Sequence, residues 1–256
     1  IQEYLYTEQE ADTRLSGQKQ FDYVDPKNRA RQVELERACT RHLRAINAYL
    51  HAGEFDTINF EESGNFHTEA TVVIPVRDRV RTIADAIESV LMQKTTFNFN
   101  LMVIDNGSTD GTTEVIKRYT HDSRVIHIIP GRNDLGIGGC WNMAVHDERV
   151  GRFIVQLDSD DLYSNENTLQ KMVDMFFQEN AAMVIGSYRM CNFQLETLPP
   201  GLIDHREWTP QNGRNNALRI NGLGAPRAFY TPVLRELQFP NTSYGEDYAL
   251  GLMISR

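Results

Sequence analysis

The feature that most constrains the fold is a repeated alternation of short apolar runs with longer amphipathic segments, beginning at Thr71. The runs are rich in β-branched residues, and the segments between them carry apolar residues at helical spacing. The predicted strands are 71–75, 101–104, 124–129, 152–157, 181–187 and 227–231. Strands that alternate with helices of this length indicate βαβ units. The sequence therefore predicts an α/β fold, with a mostly parallel, twisted sheet flanked by helices.

Residues 1–66 precede this alternation, and their sequence predicts an N-terminal helical extension followed by a linker. From Pro26, apolar residues recur at helical spacing as far as Leu50, and Gly53 is a stop signal. We expect the apolar face of this helix to pack against the main domain, which we place at 67–256.

The ends of the chain predict that it is part of a longer protein. It begins at Ile1 without Met and ends at Arg256 within a predicted helix. We therefore expect the main domain to be truncated at its C-terminus.

Composition narrows the classes of partner and the compartment. The formal net charge of −9 argues against a nucleic-acid-binding surface, because clustered Lys and Arg hold phosphate backbones. Three widely spaced cysteines without a CxxC pair favour a reducing compartment, and so a cytoplasmic protein. No apolar run approaches the length of a membrane span, so we expect none in this chain, and a peripheral position at a membrane stays open. The oligomeric state is not predicted.

Three carboxylates follow the fourth predicted strand, in Leu157-Asp158-Ser159-Asp160-Asp161. On an extended chain residues i and i+2 point to the same side, so Asp158 and Asp160 can face one site. Two carboxylates at a strand end suit Mg²⁺, which fills its remaining positions with water and substrate phosphate. The alternative is that these aspartates cap the following helix and solvate a loop, and this stretch alone favours neither interpretation.

Two other predicted strands end in segments suited to a nucleotide. The loop after the first strand precedes a helix N-terminus, where backbone N–H groups attract anions, and it contains Pro75, Val76, Arg77 and Asp78. After the second strand, Asp105 and Asn106 offer side-chain oxygens that accept hydrogen bonds from a base. The alternatives are surface charges for the loop arginines and a self-stabilised turn for Asp105-Asn106. Ligands of such sheets lie at the carboxyl ends of the strands, so we expect these segments to meet.

Glycines follow the third predicted strand, in Gly136-Ile-Gly138-Gly139. Their spacing is not GxGxxG and they do not open the first βαβ unit, which argues against a dinucleotide-binding oxidoreductase. We expect them to permit close approach of helix, sheet and a ligand backbone.

Five segments occur in an order and spacing that resemble a family 2 glycosyltransferase with the GT-A fold. They are Thr71-Val-Val-Ile-Pro75, the predicted helix 83–93, Val103-Ile-Asp105-Asn106-Gly107-Ser108-Thr109-Asp110-Gly111-Thr112, Leu157–Asp161 and Tyr244-Gly245-Glu246-Asp247-Tyr248. Each segment alone gives little evidence for the family, whereas five segments in this order and spacing are specific to it. The resemblance covers about residues 70–256 and excludes the N-terminal helix.

The resemblance implies an inverting transferase that moves a sugar from a nucleotide-sugar, a UDP-sugar being favoured, to an acceptor hydroxyl. It implies a Mg²⁺ or Mn²⁺ cofactor, with Asp160 as direct ligand and Asp158 on metal or ribose. It implies Asp247 as catalytic base and Glu246 as the residue that places the acceptor. The implied nucleotide-sugar contacts are Pro75, Val76, Arg77, Asp78, Asp105, Asn106, Gly136, Asp158 and Ser159. The sequence departs from the family at Arg77-Asp78, where Tyr-Asn is usual, and at Asn106, where a second Asp is frequent.

Residues 188–243 are expected to shape the side of the site that receives a glycan or lipid-linked acceptor in polysaccharide or glycoconjugate synthesis. Candidate contacts there are His205 or Arg206 for phosphate, Trp208 for a sugar face, and Gly224 for close approach. Ordinary packing is the alternative for Trp208, and a helix-dipole charge is the alternative for Asp247.

Two other function classes compete with the transferase. A nucleotidyltransferase predicts a glycine-rich loop after the first strand, and the loop Val76-Arg-Asp-Arg-Val80 has no glycine. A non-catalytic module that binds sugar nucleotides would not need Asp160 and Asp247 together, and donor turnover by the purified protein separates it from an enzyme.

Overall fold

A six-stranded sheet forms the centre of the computed structural model, which describes residues 19, 21–55, 57–62, 64–205, 208–219 and 223–255. In chain order the elements are α1 (Arg29–Ala45), β1 (Ala70–Val76), α2 (Ile83–Leu91), β2 (Phe99–Asp105), α3 (Thr112–Lys117), β3 (Val125–Ile128), α4 (Ile137–His146), β4 (Phe153–Gln156), α5 (Thr168–Glu179), β5 (Met183–Ile185), β6 (Tyr188–Cys191), β7 (Thr197–Ile203), α6 (Gly213–Asn216), β8 (Arg227–Tyr230), α7 (Thr231–Leu237) and α8 (Glu246–Ser255). Short 3-10 turns lie at Asp22–Val24, Pro26–Asn28 and Phe60–Glu62.

The strand order is β3-β2-β1-β4-β8-β5. The first four strands run parallel, and β8 pairs antiparallel with both β4 and β5, so it alone is reversed in this sheet. The register of β1 and β2 pairs Pro75 with Ile104 and Val76 with Asp105. The mostly parallel sheet is therefore confirmed, and its pairing brings the two predicted nucleotide segments side by side.

Helices cover both faces of the sheet, as expected for parallel strands that read as continuous apolar runs. On one face α2 and α5 contribute Ile87 and Phe176 to a core with β1, β2 and β4. On the other face α4, α7 and α8 contribute Trp141, Leu234 and Leu250. No helix within the described ranges combines the length and the apolar character needed to cross a membrane.

The N-terminal helix α1 is shorter than predicted. It ends at Ala45 because Asn47 adopts the left-handed conformation with φ of 55°, and the Ala48 N–H bonds back to the Leu43 carbonyl. Its predicted stop at Gly53 is therefore wrong. The extension packs against residues 212–219 of the main domain, where Asn215 exchanges two hydrogen bonds with the backbone of Leu50.

The antiparallel hairpin of β6 and β7 was not predicted. Its second strand contains Pro199 and Pro200, and proline argues against a strand in a sheet interior. In a two-stranded sheet both strands are edges, so a missing N–H donor is tolerated. Tyr188 of β6 and Ile203 of β7 pack against Phe21 from the N-terminal extension.

Candidate active site

The loop after β1 and the turn after β2 are joined by hydrogen bonds into one surface. The bonds run from Asp78 N to Ser108 Oγ (3.0 Å), Arg79 N to Thr112 Oγ1 (2.7 Å), Val80 N to Asp110 Oδ2 (3.0 Å) and Thr109 N to Asp78 Oδ1 (2.7 Å). The backbone N–H groups of residues 78–80 thus already have acceptors within the chain, and contact of this loop with a nucleotide stays a prediction. The loop still presents the exposed side chain of Arg77.

Asp105 and Asn106 form the predicted turn, and both take part in its internal bonding. Asp105 is buried, accepting from the Ser108 N–H at 3.1 Å and from the Thr113 hydroxyl. Burial raises the pKa of Asp105, but hydrogen bonds from Thr113 and Ser108 outweigh it and hold this pKa below its ordinary value. The Asn106 side-chain nitrogen donates to the Leu135 carbonyl at 2.9 Å, so its oxygen is the atom able to accept from a base N–H.

Asp158 and Asp160 lie at the end of β4, next to the loop after β1. Asp160 is exposed, and its Oδ2 lies 3.5 Å from Arg79 Nε. Asp158 is half-buried and accepts a hydrogen bond from Gln156 Nε2 at 2.7 Å. Burial raises the pKa of the Asp158 carboxyl, and the negative charges of Asp160 and Asp247 add to the rise. The third strand end thus joins the first two, as the sequence predicted.

The donor atoms present fit a hard divalent cation that shares its ligands with a substrate. Two carboxylates two residues apart offer oxygen ligands. Burial raises the pKa of Asp158, and a bound cation would lower it because positive charge favours the ionised carboxylate. Among the described residues, no three His, Cys, Asp or Glu side chains converge on one point as a complete protein cage does. The two carboxylates are of the donor type that Mg²⁺ or Mn²⁺ prefers, and the roles of Asp160 and Asp158 as metal ligands stay predictions.

Glu246 and Asp247 open helix α8, after Gly245 turns the chain with φ of 77°. Glu246 is buried, and its Oε2 has no hydrogen-bond partner among the described residues. Burial raises the pKa of Glu246, and the charges of Asp247 and Asp158 add to this. Asp247 is partly exposed and pairs with Arg227 Nη1 at 2.6 Å. Two carboxylates from the end of the chain thus lie within electrostatic reach of Asp158.

Two residues that sequence reasoning missed connect these carboxylates. Gln156 and Arg227 are both buried, and the Arg227 Nε donates to Gln156 Oε1 at 2.6 Å. The signal for Gln156 was a polar residue inside an apolar strand, at the same i, i+2 parity as Asp158 and Asp160. For Arg227 it was a charged residue opening a strand that is otherwise apolar.

The glycines at the start of α4 are packed against a loop of the chain itself. A Cβ on Gly136 would collide with the backbone of Thr242, and a Cβ on Gly138 would collide with the Pro240 carbonyl. Gly136 N donates to Asn241 Oδ1 at 2.9 Å and Gly138 N to the Thr242 carbonyl at 3.0 Å. Close approach is thus found here, with residues 240–242 as the partner, and contact of Gly136 with a nucleotide-sugar stays a prediction.

The candidate acceptor residues lie on segments beside β5, α6 and β8. His205 Nε2 contacts the Gly186 carbonyl at 2.6 Å, and His205 Nδ1 is buried without a partner among the described residues. Trp208 packs its ring over Gly213, and Gly224 is half-buried in the bend before β8. Arg206 lies outside the described residues. Ser159, at the strand end, is buried. The roles of these residues stay predictions.

Comparison with known families identifies the domain. The model of the family described as "Glycosyl transferase family 2" matches residues 71–233. The chain is 35% identical over 192 residues to an uncharacterized glycosyltransferase of Rickettsia bellii, covering 73% of this chain and 26% of that protein. It is 33% identical over 122 residues to the UDP-Glc:alpha-D-GlcNAc-diphosphoundecaprenol beta-1,3-glucosyltransferase WfgD of Escherichia coli, covering 48% and 46%. The chain spans less than half the length of these two relatives.

Solved structures with the same fold include two nucleotide-sugar complexes. S. aureus TarS 1–349 in complex with UDP-GlcNAc aligns with a TM-score of 0.58 at 21% identity, covering 73% of this chain and 53% of that one. The mannosyltransferase PcManGT of Pyrobaculum calidifontis, in complex with GDP-Man and Mn²⁺, aligns with a TM-score of 0.55 at 16% identity, covering 89% and 61%. The fold is that of the GT-A glycosyltransferases, as the resemblance predicted.

Proposed function

This chain belongs to glycosyl transferase family 2, and from that premise we propose that it transfers a sugar from a UDP-sugar to an acceptor hydroxyl with inversion at the anomeric carbon. The proposed acceptor is a glycan or a lipid-linked sugar in cell-envelope polysaccharide synthesis. Support for the donor comes from WfgD, whose name specifies UDP-Glc, and from the UDP-GlcNAc complex of TarS.

One observation carries the proposal. The carboxylates at the end of β4 and at the start of α8 come from distant parts of the chain, yet hydrogen bonds through Gln156 and Arg227 join Asp158 to Asp247. The charge of Asp247 adds to the raised pKa of Asp158. Gathering acidic side chains at one place costs stability, because like charges repel and burial disfavours their ionised forms. Such a cluster is typical of a site that binds cations and moves protons.

In this proposal the nucleotide lies over the surface formed by the loop after β1 and the turn after β2. The Asn106 oxygen accepts from the base, and Arg77 and Arg79 lie near the diphosphate. Ser159 and Asp158 contact the sugar nucleotide from the end of β4. A divalent cation held by Asp160 and Asp158 supplies, when bound, the positive charge that stabilises a departing diphosphate.

Asp247, which pairs with Arg227, acts as the base. Its carboxylate removes the proton of the acceptor hydroxyl as the hydroxyl oxygen bonds to the anomeric carbon and the bond to the diphosphate breaks. A single displacement of this kind inverts the configuration. Glu246 is buried beside Asp247, and its Oε2, which has no partner in the described part of the chain, is suited to a second hydroxyl of the acceptor.

A two-stage experiment tests this function with the purified chain. A thermal-shift screen of nucleoside diphosphates and sugar nucleotides, with Mn²⁺ or Mg²⁺, is expected to give its largest shift with UDP and UDP-sugars. Transfer to short glycan and lipid-linked acceptors is then followed by product mass and by anomeric NMR. An inverted product supports the proposal. Binding without any turnover supports the non-catalytic module instead, and retention of configuration overturns the single displacement.

A further inference from the structure

We propose that Arg227 and Gln156 are positioning residues that hold the candidate base Asp247 and the strand-end carboxylate Asp158 in one fixed arrangement. This inference rests on the proposed function and assigns its geometry to two side chains that do not touch the substrate. We call the four residues together the Asp158–Asp247 relay.

The relay is a continuous chain of short hydrogen bonds. Gln156 Nε2 donates to Asp158 Oδ1 at 2.7 Å, and Gln156 Oε1 accepts from Arg227 Nε at 2.6 Å. Arg227 Nη1 donates to Asp247 Oδ2 at 2.6 Å and to the Leu223 carbonyl at 2.7 Å. The Arg227 side chain is only 5% exposed, so water offers these donors little alternative.

The orientation of the Gln156 amide follows from the chemistry of its neighbours. A guanidinium only donates, so the amide oxygen must face Arg227. The amide nitrogen then faces Asp158, which accepts as a carboxylate. The reversed amide would set N–H against N–H at Arg227 and oxygen against oxygen at Asp158. One orientation alone satisfies all three groups, and it joins the two carboxylates through one continuous set of hydrogen bonds.

The sheet itself brings the two central residues together. Gln156 is the last residue of β4 and Arg227 is the first residue of β8. These strands are antiparallel neighbours, and their register pairs Val155 with Ala228, one residue inward on each strand. The reversal of β8 therefore places Arg227 at the same sheet edge as the carboxyl end of β4. A parallel strand in this position would bring its own C-terminal end to that edge.

The contacts leave Asp247 oriented but accessible. Arg227 holds Oδ2, and the Tyr248 N–H donates to Oδ1 at 2.6 Å. The Asp247 side chain is 31% exposed, so an acceptor hydroxyl can still reach the carboxylate. A displacement of about 1 Å in a reacting group costs about a hundredfold in rate. Loss of Arg227 is therefore expected to act on turnover more than on binding.

The test compares Arg227→Met, Arg227→Lys and Gln156→Leu with the wild-type chain. Arg227→Met is expected to lower kcat about a hundredfold while the Kd for UDP with Mn²⁺ changes less than about threefold. Arg227→Lys keeps one charged donor and is expected to recover part of kcat. Gln156→Leu disconnects Asp158 and is expected to weaken UDP binding as well. Arg235→Met is the matched control, since Arg235 lies on α7 and its side chain contacts the Val145 carbonyl and the Phe66 ring.

A double-mutant cycle separates positioning from general support of the fold. If Arg227 acts through Asp247, Arg227→Met is expected to lower kcat less than about twofold further in an Asp247→Asn background. A full further loss in that background, or an equal loss in Arg235→Met, overturns the relay. If Arg227→Met does not fold, as its melting curve will report, the cycle is run with Arg227→Lys. Absence of transfer by the wild-type chain is a separate result, which overturns the proposed function.

Discussion

The two halves of the candidate site are built by different means. On the donor side, which comprises residues 75–80, 105–112 and 158–160, the groups follow the ends of parallel strands whose register aligns them. On the proposed acceptor side, residues 204, 205, 208 and 223–248, they lie on loops, on strand β8 and at helix starts, and individual polar contacts such as Arg227 with Asp247 hold them. Strand register sets most of the first arrangement, whereas the second also depends on buried side chains that reach from strand β8 to helix α8. Single substitutions should therefore disturb the acceptor side more widely than the donor side.

The largest effect is expected from Asp247→Asn. An amide cannot take the proton of the acceptor hydroxyl, so kcat should fall by about 10²- to 10⁴-fold while the Kd for UDP stays unchanged. Steady-state transfer and calorimetric titration measure the two quantities. The control is Asp85→Asn, an acidic residue in the first turn of α2 that has the same relation to a helix dipole. Full turnover in Asp247→Asn would remove the base assignment.

The next largest effect is expected from Asp160→Ala on the donor side. Removal of the direct ligand should abolish the gain in UDP affinity that Mn²⁺ confers, a loss of about tenfold or more. Titration of UDP with Mn²⁺ and with EDTA measures this gain. Asp161→Ala serves as the neighbouring carboxylate control and should keep most of it. An unchanged Mn²⁺-dependent titration in Asp160→Ala would take Asp160 out of the metal site.

The same contrast explains how far the sequence could predict the structure. Strands β1 and β2 are continuous apolar runs, so their existence and the meeting of Pro75, Asp105 and Asp158 at one edge follow from periodicity. The β6–β7 hairpin was missed because its prolines hide the alternation of a strand. Long-range side-chain contacts leave no periodic trace, so the bond between Gln156 and Arg227, 71 residues apart, was invisible.

Some local hydrogen bonds also depend on contacts between segments, which no single sequence motif specifies. Thr82 stands at the N-cap of α2, but its side chain makes no capping bond, and its hydroxyl is buried without a partner among the described residues. Arg79 N finds an acceptor in Thr112 of the neighbouring turn. The loop before α2 is thus held by the turn after β2. A prediction made from one segment alone cannot include that second segment.

Gly138→Ala tests the packing of the start of helix α4 against residues 240–246. Its Cβ would overlap the Pro240 carbonyl and lie 3.2 Å from the Glu246 Cβ, so residues 240–246 must move. Overpacking of this kind costs about 1–3 kcal/mol, which corresponds to a fall in Tm of several degrees. Transfer should fall more than UDP binding. Gly131→Ala is the matched control, because nothing lies within 4 Å of its added Cβ. Equal Tm values for the two variants would contradict close packing of Gly138 against residues 240–246.

The smallest effect, and the one of opposite sign, is expected from Glu246→Gln. Burial raises the pKa of Glu246, so its ionised form is disfavoured in the folded chain and costs stability at any pH above that raised pKa. The cost disappears as the pH falls and the carboxyl takes up a proton. Glu246→Gln should therefore raise Tm by a few degrees at pH 8, and the gain should vanish towards pH 4.

Transfer by Glu246→Gln should fall even as stability rises, which is the pattern of a residue kept for function at a cost to the fold. Paired melting curves at the two pH values, with initial rates at pH 8, measure both changes. Glu236→Gln on α7 provides the control for loss of a negative charge. A lower Tm at pH 8 would mean that Oε2 has a stabilising partner in the folded chain. The buried Glu246 carboxylate would then not lower the stability of the fold, contrary to the prediction.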